Sequence, residues 1–436
     1  MQQAFRASIL HCLADPGPHA SEAAVEYFQD GILLIEDGVV AQLGAADELL
    51  PALPENTAVE DLTGKLIVPG FVDCHVHYSQ LDIIASYGEQ LLDWLNRYAY
   101  PAEAQFSDAQ HARSVADVFL DELLRNGTTT AMVFATVFPQ SVDAIFAAAE
   151  ERGMRLIAGK VLMDRLCPDE LSDSAETGYA DSKTLIERWH GKDRLGYAIT
   201  PRFALTSTDE QLEAAGRLAS EYPDTWVHTH LAENQEEVDQ IAAQFPWSRS
   251  YLDVYDHFSL LRERSVFAHC LHLDAADRAL MADKGGAGAF CPTSNLFLGS
   301  GLFDLQSMSD AGVKVGLATD VGGGTSISML RTMSEAYKVL HLQGQSLPAS
   351  RALYLATLGA ASALCLDDAI GNFEPGKEAD FVVLDPDGST ITARRAQSAA
   401  SIEELMFALI FLGDDRNVAA TYIQGQLSPA TAQADR

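Results

Sequence analysis

The chain has 436 residues, with 29 Lys and Arg against 62 Asp and Glu, a formal net charge of −33 at pH 7. That balance argues against a nucleic-acid partner, because gripping a phosphate backbone needs clustered cations. Hydrophobic residues make up 47% of the chain, enough for a large packed core, and the acids are scattered among periodic apolar segments rather than gathered in a disordered tract. The longest apolar run, Leu405 to Leu412, is far short of the roughly 20 residues that span a bilayer, so no membrane partner is expected. Met1 to Pro16 lacks the basic and apolar regions of a secretory signal, and the expectation is a cytoplasmic protein. The 6 cysteines (Cys12, Cys74, Cys167, Cys270, Cys291 and Cys365) form no C-x-x-C pair, which argues against a disulfide scaffold and a cysteine-held zinc site.

In chain order, the first signal is Ile32 to Ile35, then Glu36-Asp37-Gly38, then Val39-Val40, an Asp-Gly pair between apolar runs that predicts a hairpin. Eight buried strands follow, at Leu66–Cys74, Thr128–Phe134, Arg155–Val161, Leu195–Thr200, Thr225–His230, Ser265–His269, Ala287–Cys291 and Val313–Thr319. Amphipathic stretches of helical period separate them. Ser107-x-x-Gln110 and Thr208-x-x-Gln211 read as helix-starting capping boxes, and Gly127 and Gly153 as helix stops. The alternation predicts an α/β fold of the (β/α)8 TIM-barrel type. A doubly wound sheet competes, but the first strand has no Gly-rich dinucleotide fingerprint after it. Two more short strands are expected at Asp380–Asp385 and Thr421–Gly425. Neither chain end has the apolar residues for a core of its own. Residues 1–65 and 371–436 are therefore expected to form one small β-sandwich domain, with 66–370 as the barrel.

The first barrel strand ends in His75-Val76-His77, and side chains two apart on a strand point the same way. The fifth ends in His228-Thr229-His230 with Glu233 just beyond, the sixth in His269, the eighth in Thr319-Asp320. Barrel active sites lie at this end of the strands. Four of eight strand ends thus carry imidazole or carboxylate, the ligand chemistry of Zn²⁺ or Fe²⁺. His75, His77, His230 and Asp320 suit a mononuclear site with room for one water, whose pKa the ion would lower. Blander readings apply elsewhere: His11, His19, His111, His190, His257 and His341 are most simply surface or helix residues. His228 lies deeper in its strand than His230, and His272 falls past the sixth strand.

Taken together, the strand-one histidines, His230-x-x-Glu233, His269-Cys270, Asp320 and the closing stretch Gly371 to Phe381 resemble the amidohydrolase superfamily over nearly the whole chain. His77-Tyr78-Ser79-Gln80, Leu91 to Leu95 with Tyr98 and Pro101, Pro201-Arg202-Phe203, Cys291 to Leu296 and Thr319 to Ser326 resemble its guanine-deaminating branch. Cys74 departs from that pattern, where Thr is expected, but its side chain alternates away from the histidines. The resemblance implies hydrolysis of guanine to xanthine and ammonia, with one Zn²⁺ per subunit (Fe²⁺ serving equally as a ligand match) on His75, His77, His230 and Asp320. It implies attack of the activated water on C2, Asp320 taking that water's proton, Glu233 relaying protons and His269 holding the tetrahedral centre. Gln80 and Arg202 would read the polar edge of the base, and Phe203 would pack on its face. A homodimer is implied as well.

Arg202 also speaks from its own chemistry. Its guanidinium donates and cannot accept, which favours an oxo group over an amino group at the edge it meets. Trp94 reads equally as ligand contact and as a core or dimer-contact aromatic. Three rivals stay open at this point. One is a deaminase of 8-oxoguanine, a pterin or a triazine on the same machinery. Another is a dinuclear cyclic-amide hydrolase, which needs a carboxylated Lys at the fourth strand; that strand ends Thr200-Pro201-Arg202, and Lys160 falls on the third. The last is a catalytically dead scaffold, which would have lost metal ligands.

Overall fold

Seven consecutive residues without one exposed member, as in Phe71–His77, Thr128–Phe134 and Leu195–Pro201, fit only a strand covered on both faces. These three belong with Arg155–Gly159, Trp226–Leu231, Ser265–His269, Ala287–Phe290 and Lys314–Leu317, eight parallel strands lying side by side in chain order. The computed structural model describes residues 2–54, 57–88 and 90–432, so residues 1, 55, 56 and 433–436 of the expected end segments lie outside the described residues. Beyond Leu317 the chain runs on beside the first strand. Asp320 N donates to His75 O (2.9 Å) and His77 N to Val321 O (2.8 Å), joining the eighth strand to the first in a near-barrel. Lys160 interrupts the third strand, which resumes at Val161–Leu162.

Two compact units can be distinguished. One holds the chain up to Val72, Asp121–Thr130 and the chain from Ile327; the other holds Asp73–Leu120 and Ala131–Ser326. In the first, strands from both chain ends form one mixed sheet of seven, as expected for a small β domain built from the two termini. Its order is Gln426–Leu427, Val418–Ile423, Phe381–Leu384, Ala58–Pro69, Gln2–Cys12, Val25–Glu36 and Val39–Ala45. Side chains alternate between its faces: Phe5, Leu33 and Ile35 pack with Phe381 and Tyr422, while Ala4, Ile32 and Leu34 pack with Ala46 and Leu49. The predicted hairpin is there, with Glu36 paired to Val39. Asp37 (φ 51°) and Gly38 (φ 85°) both take the left-handed conformation a two-residue turn demands.

Three expectations need correction. The run Leu66–Cys74 is two strands, because the chain changes sheets at Gly70. Leu66 to Pro69 pair with Phe381–Leu384, whereas Phe71 N turns to Gly127 O. A Cβ on Gly70 would come within 2.1 Å of Thr129 Oγ1, so only glycine permits that crossing. Ser107 does not start the helix Ala109–Arg125; Asp108, whose carboxylate accepts from Gln110 N (2.8 Å), has taken the capping place. His11, read as a surface histidine, is buried in the strand Gln2–Cys12. Thr208, by contrast, does accept from Gln211 N, and Gly153 ends its helix at φ 62°.

Among the described residues, no helix is long and apolar enough to cross a membrane.

Candidate active site

All the site residues lie in the second unit, and the strand ends explain their convergence. His75 and His77 share one side of the first strand, His230 and His269 end the fifth and sixth, and Asp320 follows the eighth. His269 (φ 74°) and Asp320 (φ 50°) sit in left-handed backbone, a conformation that costs a residue with a Cβ and here turns each side chain inward.

The Nε2 atom of His77 lies 3.2 Å from Nε2 of His75 and 3.2 Å from Nε2 of His230. Asp320 Oδ1 lies 3.1 Å from His75 Nε2 and 3.4 Å from His77 Nε2. Ligands about 2.0–2.1 Å from one four- or five-coordinate ion lie roughly 2.9–3.4 Å from each other, so this spacing is that of co-ligands. The other ring nitrogens of His75 and His230 are engaged so as to leave those lone pairs free. His230 Nδ1 donates to Arg202 O (2.7 Å), and His75 Nδ1 meets His228 Nε2 (2.8 Å). His228 is thus placed behind a ligand, supporting His75.

A second grouping of four, His75, His230, His269 and Asp320, keeps one ligand atom from each within 4.8 Å. The two groupings differ only in His77 and His269. His77 is closer to its neighbours, while His269 Nε2 stands 3.7 Å from Asp320 Oδ2 and 3.3 Å from Glu233 Oε2. His77 thus stands nearer the cluster and His269 nearer the acid. His269 Nδ1 is held by Asn295 Oδ1 (2.9 Å).

Burial keeps the imidazoles neutral, pushing His77 down to about 4 and His228 and His230 well below the ordinary value. Burial works against the charged form of Asp320, yet His75 and His77 beside it hold its carboxyl well below the usual range. Glu233 goes the other way: burial, reinforced by Asp320, raises it to about 8. The two carboxyls of one site are thus shifted in opposite directions, the pattern of an acceptor beside a donor. Glu233 Oε1 accepts from Ser300 Oγ (3.1 Å), and its backbone N–H is held by Glu237 Oε2 (3.0 Å) at the start of the helix Gln235–Gln244.

His77, Gln80, Arg202, Phe203, His230, Glu233, His269 and Asp320 line one pocket, with His75 fully buried behind it. Leu91, Trp94, Leu95 and Leu298 add apolar wall, so Trp94 does face the pocket. The mixture of flat apolar surface and a few convergent polar groups suits a small heterocycle.

Two buried carboxylates escaped sequence reading. Asp73 accepts from Thr319 N (3.1 Å), Thr319 Oγ1 and His75 N (3.2 Å), fixing the strand ends that carry two ligands. Its position two before His75, on the same side of the strand, was the available signal. Glu103 accepts from Gln80 Nε2 (2.9 Å) and twice from Arg202 Nη1 (2.9 and 2.7 Å). It sits in the short helix Tyr100–Ala104 and carries no sequence signal beyond those of an ordinary surface glutamate.

Lys160 is unavailable as a metal bridge. Its ammonium is buried against Asp173, so the dinuclear reading loses its one candidate.

Residues 66–428 match the Amidohydrolase family. The guanine deaminase of Escherichia coli is 51% identical over 410 residues, covering 94% of this chain and 93% of that one. The solved structure of E. coli guanine deaminase superposes with a TM-score of 0.95 at 50% identity, covering 98% of this chain and 99% of that one. A guanine deaminase from C. acetobutylicum, solved with guanine bound in its active site, gives a TM-score of 0.90 at 26% identity, covering 98% and 100%.

Proposed function

Since the chain belongs to the amidohydrolase family and matches its guanine deaminases along almost all its length, we propose that this pocket hydrolyses guanine to xanthine and ammonia. The observation that carries the reading is the pairing, in one pocket, of an imidazole–carboxylate cluster at co-ligand spacing with a buried glutamic acid 3.3 Å from His269. His75, His77, His230 and Asp320 would hold one divalent ion, zinc by the donor set, with iron chemically admissible. When bound, such an ion lowers the pKa of a water molecule and supplies a nucleophile at neutral pH.

The chain's own residues do the rest. Asp320, ionised, is positioned to accept the proton that the attacking water gives up. Glu233 donates its proton to the ring nitrogen beside C2. The carboxylate so formed takes the remaining proton of the added oxygen and passes it to the amino group, which leaves as ammonia, and the proton held by Asp320 restores the acid. His269, anchored by Asn295, faces the tetrahedral carbon between Glu233 and Asp320. Phe203 and Trp94 supply apolar surface, and Arg202 with Gln80 meets the oxo edge of the base. The reading retains residues 66–370 as the catalytic body between the two end segments, 1–65 and 371–436, and a homodimeric, cytoplasmic enzyme.

The deciding assay is ammonia release from guanine, 8-oxoguanine, adenine, cytosine and a pterin, with metal analysis of the same sample. Guanine turnover with about one metal ion per chain is expected. Preference for another heterocycle, or full activity in metal-free protein, would overturn the reading.

A further inference from the structure

We propose that Glu103 is a positioning residue that sets the charge of the base-reading wall, so that the pocket holds neutral guanine in preference to the anionic form of its own product. The inference rests on the reaction proposed above. Arg202 and Glu103 form an ion pair with both side chains buried, and the guanidinium also lies 5.2 Å over the ring of Tyr100. An isolated buried arginine would be a strong trap for any anion, whereas a paired one keeps its directional donors and loses its net charge. The other charged or titratable groups lining the pocket are the carboxyls Glu233, Glu237 and Asp320 and the histidines His77, His230 and His269. Arg202 is the one cationic side chain among these lining residues, and Glu103 balances it.

The same carboxylate orients Gln80. A carboxylate only accepts, so the Gln80 Nε2 must face it, while Gly322 N donates to Gln80 Oε1 (3.2 Å) from the other side. Two one-way partners fix the amide and thereby the pattern of donors at the edge of the base. Replacing an amino group by an oxo group makes the purine a stronger acid, so the product ionises at a lower pH than the substrate. A balanced wall binds the substrate's neutral edge and offers the product's anion no net charge of its own. Selectivity of this kind comes from what the site refuses.

The test is product inhibition in the metal-loaded enzyme, read as the ratio of the xanthine inhibition constant to the guanine KM across pH. In the unaltered protein, xanthine inhibition should weaken as pH rises through the xanthine ionisation. In Glu103→Gln, that ratio should fall about tenfold or more, with xanthine binding tightening as it ionises. The double variant Glu103→Gln with Arg202→Met, which removes both charges, should lose the tightening. If xanthine inhibition of the unaltered enzyme strengthens as the product ionises, the proposal is wrong, whether or not any variant folds. An unchanged ratio in a folded Glu103→Gln protein would equally overturn it. Failure to turn over guanine at all would fall instead on the proposed reaction.

Discussion

Two sets of buried histidines divide the molecule. In the sheet built from the chain ends, His11 has both ring nitrogens answered: Nε2 donates to Glu26 Oε2 (2.9 Å) and Nδ1 accepts from Phe373 N (3.3 Å). One neutral tautomer satisfies everything around it. In the pocket, three Nε2 atoms converge on each other at hydrogen-bond distance, and three lone pairs cannot satisfy one another. His77 Nδ1 and His228 Nδ1 are moreover buried with no hydrogen-bond partner among the described residues. Burial alone therefore says nothing about function. A histidine whose partners answer both ring nitrogens is architecture, and a set whose Nε2 atoms face one another is arranged to hold a cation.

That contrast can be tested at three depths. The largest effect belongs to Glu233→Gln, which keeps the shape of the pocket and removes the proton carrier. Turnover should fall by about 10³-fold or more while metal content stays near normal; substantial residual activity would remove Glu233 from proton transfer. Arg202→Met should come next, with guanine kcat/KM down about a hundredfold and metal binding intact. It also strands the Glu103 carboxylate, so thermal unfolding must be followed beside kinetics, and an unchanged kcat/KM would disprove edge recognition.

The smallest effect lies on the other side of the comparison. His11→Leu should cost about 1–3 kcal/mol by leaving Phe373 N unanswered, with guanine kinetics unaltered. Burial lowers the His11 pKa below its unfolded value, so the unfolded chain takes up the proton first. The stability due to neutral His11 is present above about pH 6.5 and lost as pH falls toward the native pKa. The variant should show a flatter decline of denaturant midpoint with acid. An unchanged acid limb would mean that His11 does not report on folding.

Much of this was legible in the sequence because strands alternate and barrels place their strand ends together. His75, His77, His230, His269 and Asp320 could be assigned to one end of one fold before any coordinate was known. The sheet change at Gly70 was hidden because apolar residues run on both sides of it, where periodicity cannot mark a break between two buried strands, and only the Pro69-Gly70 pair pointed to one. His11 was misread because its Glu26 partner lies on the next strand, and Glu103 went unread because its partners Gln80 and Arg202 lie on distant segments. Such pairings are properties of the folded chain, with no local pattern to betray them.

The bonds from Asp320 N to His75 O and from His77 N to Val321 O have one more consequence. The residues that would grip the ion are also those where the eighth strand meets the first, beside the Asp73–Thr319 contact between positions 246 apart in sequence. An ion held there acts as a staple across a very long loop, so part of its binding free energy is spent as chain entropy and returned as stability. Metal loading would then add stability to the closure between the eighth strand and the first.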